Sequence, residues 1–173
     1  MDNTLMAIFS NGLLSDQSST VKILSLNEKT EQYGLFLTPA DATALMQTRT
    51  EALSANGRIE VGSGTVAKLI DAFYDSSFIN QRDYTAIMHD LIDMFYYSKN
   101  ETMDLISDDD LIEFMKNCFE YRCMGSLELL KGRELEKLAD NLRRGVRDYK
   151  NMDYEANAEQ EWNWDEEDIE DEQ

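Results

Sequence analysis

Four stretches of this chain repeat apolar side chains at the helical period, and that pattern limits the fold more than any other feature. Val66, Leu69, Ile70, Phe73 and Tyr74 fall at i, i+3, i+4, i+7 and i+8. Spacing of that kind lines one face of a 3.6-residue helix, whereas a half-buried strand alternates with period two. Tyr84, Ile87, Met88, Leu91, Ile92 and Phe95 repeat it, as do Leu111, Ile112, Met115, Cys118 and Phe119. A fourth stripe runs through Leu135, Leu138, Ala139, Leu142, Val146 and Tyr149. Apolar stripes must be covered, and four of them on one chain cover each other most simply as a helical bundle.

Local punctuation agrees. The only proline, Pro39, sits in Thr38-Pro39-Ala40-Asp41, which reads as an N-cap, a proline at N1 and an acid at N3. The helix this opens runs over 39–56 and stops at Gly57, which tolerates the left-handed conformation that ends helices. Asn80 with Asp83 and Ser107 with Asp110 repeat the cap-and-acid spacing. An earlier helix is expected over 17–33, ending at Gly34. In residues 1–14, Leu5, Ile8, Phe9 and Leu13 fit a helix better than a strand. Two short extended pieces, 35–37 and 58–61, flank the 39–56 helix and could pair. The expected fold is all-α: one bundle-like domain of six to seven helices over residues 1–150, with at most a minor two-stranded β element. An acidic tail over 151–173 follows.

Charge separates those two regions. Thirty-five Asp and Glu against sixteen Lys and Arg give a net charge of −19, with enough hydrophobic residues (42%) for a core. A chain this acidic does not grip phosphate backbones or anionic lipid over its whole surface. Residues 151–173 carry eleven acids and no base, while 131–150 carry seven bases against four acids. A basic segment followed directly by an acidic one suggests docking in cis. The tail interleaves its acids with Tyr154, Trp162, Trp164 and Ile169, the composition of segments that order on a partner. Arg133, Lys137, Arg144 and Lys150 avoid the Leu135–Leu142–Tyr149 stripe and are the candidate docking cations, with Trp162 and Trp164 as anchors. The plainer alternatives are a solvated helix face and a solubility tail. Direct nucleic-acid contact is not expected, because no aromatic platform interleaves the bases.

Candidate chemistry is sparse. Arg58-Ile-Glu-Val-Gly62-Ser-Gly64-Thr-Val-Ala67 matches the G-x-G-x-x-A fingerprint, and helix N-terminal amides beside Lys68 could hold a phosphate. The required context of parallel strands, with an acid ending the second, is missing, so a plain turn into a helix is the expectation. His89, the only histidine, lies four residues before Asp93 and reads as a local hydrogen-bonded pair rather than half a metal site. Asp108, Asp109 and Asp110 read as compensation of a helix dipole rather than a Mg²⁺ cluster. Cys118 and Cys123, five apart, point roughly 140° away from each other on an α-helix, which disfavours a disulfide. The nine methionines are mostly packing fillers, with a Met-lined groove as the functional alternative. No serine sits in a nucleophile elbow. No catalytic residue, cofactor or metal is assigned.

Thr30-Glu-Gln-Tyr-Gly-Leu35, Leu37-Thr-Pro-Ala-Asp-Ala42, Arg49-Thr-Glu-Ala-Leu53, Gly57-Arg-Ile-Glu60 and Lys68-Leu-Ile-Asp-Ala-Phe73 give the chain its likeness to known sequences. Over residues 20–150 it resembles an uncharacterised family of small cytosolic helical proteins of Gram-positive anaerobic bacteria. The resemblance implies no activity and no site residue. Free thiols, an N-terminus without a basic signal region, and no apolar run of membrane-spanning length point to the cytoplasm. The leading functional expectation is a non-catalytic interaction or regulatory protein that meets a protein partner through helical faces and the tail. An acidic mimic that inhibits a nucleic-acid-binding protein is the alternative, and an enzyme on a helical scaffold is a further one.

Overall fold

A computed structural model describes residues 17–60 and 64–151. The expected helix within 1–14, the glycine of position 62, and Trp162 and Trp164 lie outside the described residues. Helix α1 (17–25) turns at Leu26 into α2 (Asn27–Thr30) and a 3-10 turn (Glu31–Tyr33) that ends at Gly34. Next come α3 (Pro39–Ala55), α4 (Gly64–Phe73), α5 (Tyr84–Glu101) and α6 (Asp108–Asn117). α6 runs on into a π-helical turn (Cys118–Arg122). Short α7 (Leu127–Leu129) continues through a second π-helical turn (Leu130–Leu135) into α8 (Glu136–Arg143), and a 3-10 turn (Asp148–Asn151) follows. The fold is all-α, and no strand forms among the described residues.

The reason the two extended pieces do not pair is visible in the hydrogen bonds of 35–37. Asn27 donates to the Leu37 carbonyl (2.8 Å) and accepts from the Leu37 N–H (2.9 Å). On the other edge, Gln81 accepts from the Phe36 N–H (2.7 Å) and donates to its carbonyl (2.9 Å). Two side-chain amides thus satisfy the backbone groups a partner strand would need. Leu35 and Leu37, each 1% exposed, are pinned into the core by this arrangement.

α5 is the hub, packed against α3, α4, α6 and α7. Tyr84, Met88, Leu91 and Phe95 of its stripe are fully buried, as are Phe73 of α4 and Phe119 after α6, whose rings meet edge to face at 5.6 Å. Thr38 and Asp41 form the expected reciprocal capping box, and Ser107 caps α6 by accepting from the Asp110 N–H (3.1 Å). Asn80 caps only a turn: it accepts from the Arg82 and Asp83 N–H groups, and α5 itself begins at Tyr84.

The expected helix over 131–150 is shorter than its stripe. It ends at Arg143 because Gly145 takes φ +80°, with the Gly145 N–H on Leu142 and the Val146 N–H on Asn141. Those two bonds close a Schellman turn, which needs the left-handed residue that glycine supplies. Val146 is therefore 45% exposed, while Tyr149 returns to the core against Phe114.

Candidate functional site: the groove between α5 and α8

The residues that suggest chemistry in the sequence turn out to be held by one another. Each acid of the α6 cap meets a lysine from a different element. Asp108 pairs with Lys99 (2.9 Å), Asp109 with Lys68 (2.7 Å), and Asp110 lies 3.9 Å from Lys150. The three carboxylates staple α4, α5 and the C-terminal turn to the start of α6. Lys99, buried, also donates to the Ile106 carbonyl (2.6 Å), so it closes the α5–α6 connection. No group of three metal-ligating side chains occurs among the described residues.

At the start of α4 the supposed anion site already holds a carboxylate. Glu60 accepts from the Thr65 hydroxyl (2.8 Å) and the Tyr96 hydroxyl (2.5 Å), and buried Arg49 donates to its carbonyl (3.1 Å). Lys68 is engaged with Asp109 and α4 opens at Gly64, while residues 61–63 of the fingerprint-like segment lie outside the described residues. His89 bonds through Nδ1 to Thr48 of α3 rather than pairing locally with Asp93. Burial, reinforced by the Asp90 charge, holds the Asp93 carboxyl above the usual range.

The two cysteines correct the sequence reading in an instructive way. Residues 118–122 form a π-turn in which the Cys123 N–H bonds the Cys118 carbonyl at 2.8 Å, so the 140° separation of an α-helix does not apply. Both thiols are free and buried, and both feel the Glu134 carboxylate. Glu134 is 1% exposed and forms ion pairs with Arg133 (2.7 Å) and Arg122 (3.2 Å). Burial first, and the Glu134 charge second, push both thiols up, Cys123 to about 11. A thiol held protonated in this way is a packing group, not a nucleophile.

What remains open lies on the other side of α8. A groove of about 190 Å³ runs between the C-terminal half of α5 and α8. Met94, Tyr97, Leu135 and Ala139 supply its apolar lining, and Ser98, Lys131, Glu136 and Asp140 add polar groups. One end is closed by Arg143, which forms ion pairs with Glu101 and with Asp140 (3.2 Å). Tyr97 is 49% exposed, a large aromatic presented to solvent on a helix whose other faces are packed. The sequence puts the stripe of α8 in the core and the candidate docking cations off it, and does not indicate this groove. Its α5 wall was missed, since Tyr97 simply follows three buried residues in the run Met94-Phe95-Tyr96.

Of the candidate docking cations, Arg133 is committed to Glu134 and to the Arg122 carbonyl (2.8 Å). Lys150 lies by Asp110 and over the Tyr149 ring. Lys137 and Arg144, seven residues apart on the exposed flank of α8, have no ion pair with any described residue. The exposed acids of α4, of the turn after it and of α6 are arranged differently. Asp71 pairs with Lys29 (2.6 Å), Asp75 with Lys116 (2.7 Å) and Asp109 with Lys68 (2.7 Å). That face presents acids interleaved with lysines, not a row of bare carboxylates.

No helix among the described residues is long and apolar enough to cross a membrane. No curated protein and no solved structure matches the chain. The profile of DUF6323, a family of unknown function, matches residues 22–148, which takes in every helix from α2 to α8 and both walls of the groove. The chain belongs to that family.

Proposed function

We propose that this chain is a non-catalytic interaction protein that binds a protein partner through the α5–α8 groove. One observation carries the reading: the thiols, the histidine and the α6 acids are engaged inside the fold, while the α5–α8 groove sets exposed Tyr97 near Lys137 and Arg144, which form no ion pair with a described residue. Thiols, histidine and the α6 acids all have partners inside the fold. Among the described residues Lys137 and Arg144 form no ion pair, and Tyr97 is half exposed beside them. Aromatic and cationic side chains of this kind are where interfaces concentrate their affinity. A reducing cytoplasmic setting goes with the two free thiols.

Mimicry of nucleic acid is less well supported, because the pairing of Asp71, Asp75 and Asp109 with lysines removes the bare charge row that such mimicry uses. Affinity purification from native cells, with wild type beside Tyr97→Glu, tests the interaction reading. A partner recovered by the wild type, lost by the variant and rebound from purified components supports it. Equal recovery by both chains overturns the groove as the site.

A further inference from the structure

We infer that the groove is occupied in the resting protein by the chain's own acidic tail, with an indole of residues 161–168 against Tyr97 and the flanking acids toward Lys137 and Arg144. The inference rests on the groove reading above and names the chemistry that the groove accepts. Three observations converge on it.

The first is the point of departure. Tyr149 is buried against Phe114, and Lys150 lies by Asp110, so the chain leaves the described structure at the start of α6. Asp108, in the same turn of α6, is paired with Lys99, two residues before Glu101 at the closed end of the groove. The tail therefore leaves from the end of the bundle where the groove begins.

Reach comes second. Trp162 lies eleven positions beyond Asn151. Extended chain spans about 3.3–3.6 Å per residue, which makes roughly 36–40 Å available, about the width of a domain this size. That span is the upper limit on how far Trp162 can lie from Asn151.

Complementarity is the third. Glu161, Trp162, Asn163, Trp164, Asp165, Glu166, Glu167 and Asp168 put two indoles among five acids. Inside the groove Arg143 is balanced by Glu101 and Asp140 while Lys131 and Glu136 also line it, so an indole is suited to the apolar stretch formed by Met94, Tyr97, Leu135 and Ala139. Ser98 and Glu136 offer acceptors for an indole N–H, which buried tryptophans ordinarily satisfy. Beside the pocket, Lys137 and Arg144 are cations that no described residue pairs with. The expected order is a ring in the apolar slot and carboxylates beside it. Exposed ion pairs give little each, so the indole supplies the anchor and the charges supply the register. A partner that uses this groove then competes with the tail and carries the same chemistry, an aromatic side chain flanked by acids.

Because Trp162 and Trp164 are the only tryptophans, indole emission of the full chain reports this contact alone. The expected result is a blue-shifted maximum that does not change on serial dilution and moves part of the way red in high salt. Tyr97→Glu should abolish the blue shift while the helical circular dichroism is retained. Lys137→Glu with Arg144→Glu, both on exposed positions, should give a partial red shift, and Lys68→Glu on the far face should give none. Solvent-like emission of the native wild type overturns docking in cis, yet leaves the groove open to a separate partner. A blue shift that ignores Tyr97→Glu places the indoles elsewhere and overturns the inference. A blue shift lost on dilution assigns the groove to the tail of a second copy and also overturns it.

Discussion

Two faces of this bundle use the same residue types to opposite ends. On the α4–α6 face, Lys68, Lys116 and Lys29 each close on an aspartate within 2.7 Å, and Phe73 beneath them is fully buried against Phe119. On the α5–α8 face, an aromatic ring stands half in solvent, a groove stays open, and Lys137 and Arg144 go unmatched by described residues. Internal pairing adds little stability per exposed pair, but it removes charges from the list of things a partner can read. Charge that a fold leaves unpaired beside apolar surface is available for recognition. The difference separates a face that holds the bundle together from one that can hold something else.

The largest expected effect tests that separation directly. Phe73→Ala should cost about 3–5 kcal/mol, because the ring fills a closed site between α4 and the turn after α6. Tyr97→Ala, an aromatic truncation of similar size on the open face, should cost under about 1 kcal/mol. Urea unfolding of the two variants compares them, and similar losses would erase the distinction.

Next comes Glu134→Ala, expected to cost about 3 kcal/mol. Removing it leaves Arg122, with a side chain only 9% exposed, without its carboxylate, and losing one partner of a buried pair is the expensive case. Arg133 is 44% exposed and can turn to water, which keeps the cost at the lower end. The same substitution should lower the pKa of Cys123, readable as faster thiol alkylation at alkaline pH, since the Glu134 charge is one of the causes that raise it.

Two buried tyrosines on α5 should then behave differently when each loses its hydroxyl. Tyr96 donates to Glu60 at 2.5 Å, so Tyr96→Phe should cost about 1–2 kcal/mol. The Thr30 hydroxyl near Tyr84 donates to the Leu35 carbonyl, and the phenol has no hydrogen-bond partner of good geometry among the described residues. Tyr84→Phe should be neutral or slightly stabilising in the same melt.

The smallest effects are in the pH dependence, where two aspartates act with opposite sign. Hydrogen bonds from Arg58 hold the Asp104 carboxyl below its ordinary 3.8. Its contribution is present above that value and is lost as pH falls through the lower folded pKa. Asp93 is raised by burial, so between 3.8 and its folded value the native state binds the extra proton, and stability falls as pH rises through that window. Asp93→Asn should therefore raise the melting temperature at neutral pH, with the gain gone by pH 3. A gain that persists in acid would show that Asp93 is not penalised by its charge.

Much of the bundle could be read from particular residues. Phe73, Met88, Leu111 and Leu138 lie where their stripes place them, and Thr38 with Asp41 and Ser107 with Asp110 cap as their spacing implies. The π-turns were not legible, because a period that widens for a single turn leaves the apolar spacing nearly unchanged. The α-helical angle assumed between the cysteines fails for that reason, while the expectation of free thiols holds. For the ionic cluster a signal did exist. Glu134 lies four after Leu130 and four before Leu138, and Arg122 lies four after Cys118, so each is a charge on an otherwise apolar stripe. Opposite charges in such positions are costly unless they meet, and in the structure they do. The groove was hidden because it depends on which part of α5 the short α7–α8 arm leaves uncovered, a matter of packing between distant segments.

Backbone amide shifts of the full chain, compared with those of the Trp162→Ala/Trp164→Ala variant by NMR, test most directly whether the α5–α8 face is the working surface. Removing the indoles should shift amides in 94–101 and 135–143 and leave 64–73 and 108–117 unmoved. Shifts concentrated on α4 and α6, or confined to the tail itself, would contradict the assignment of the two faces.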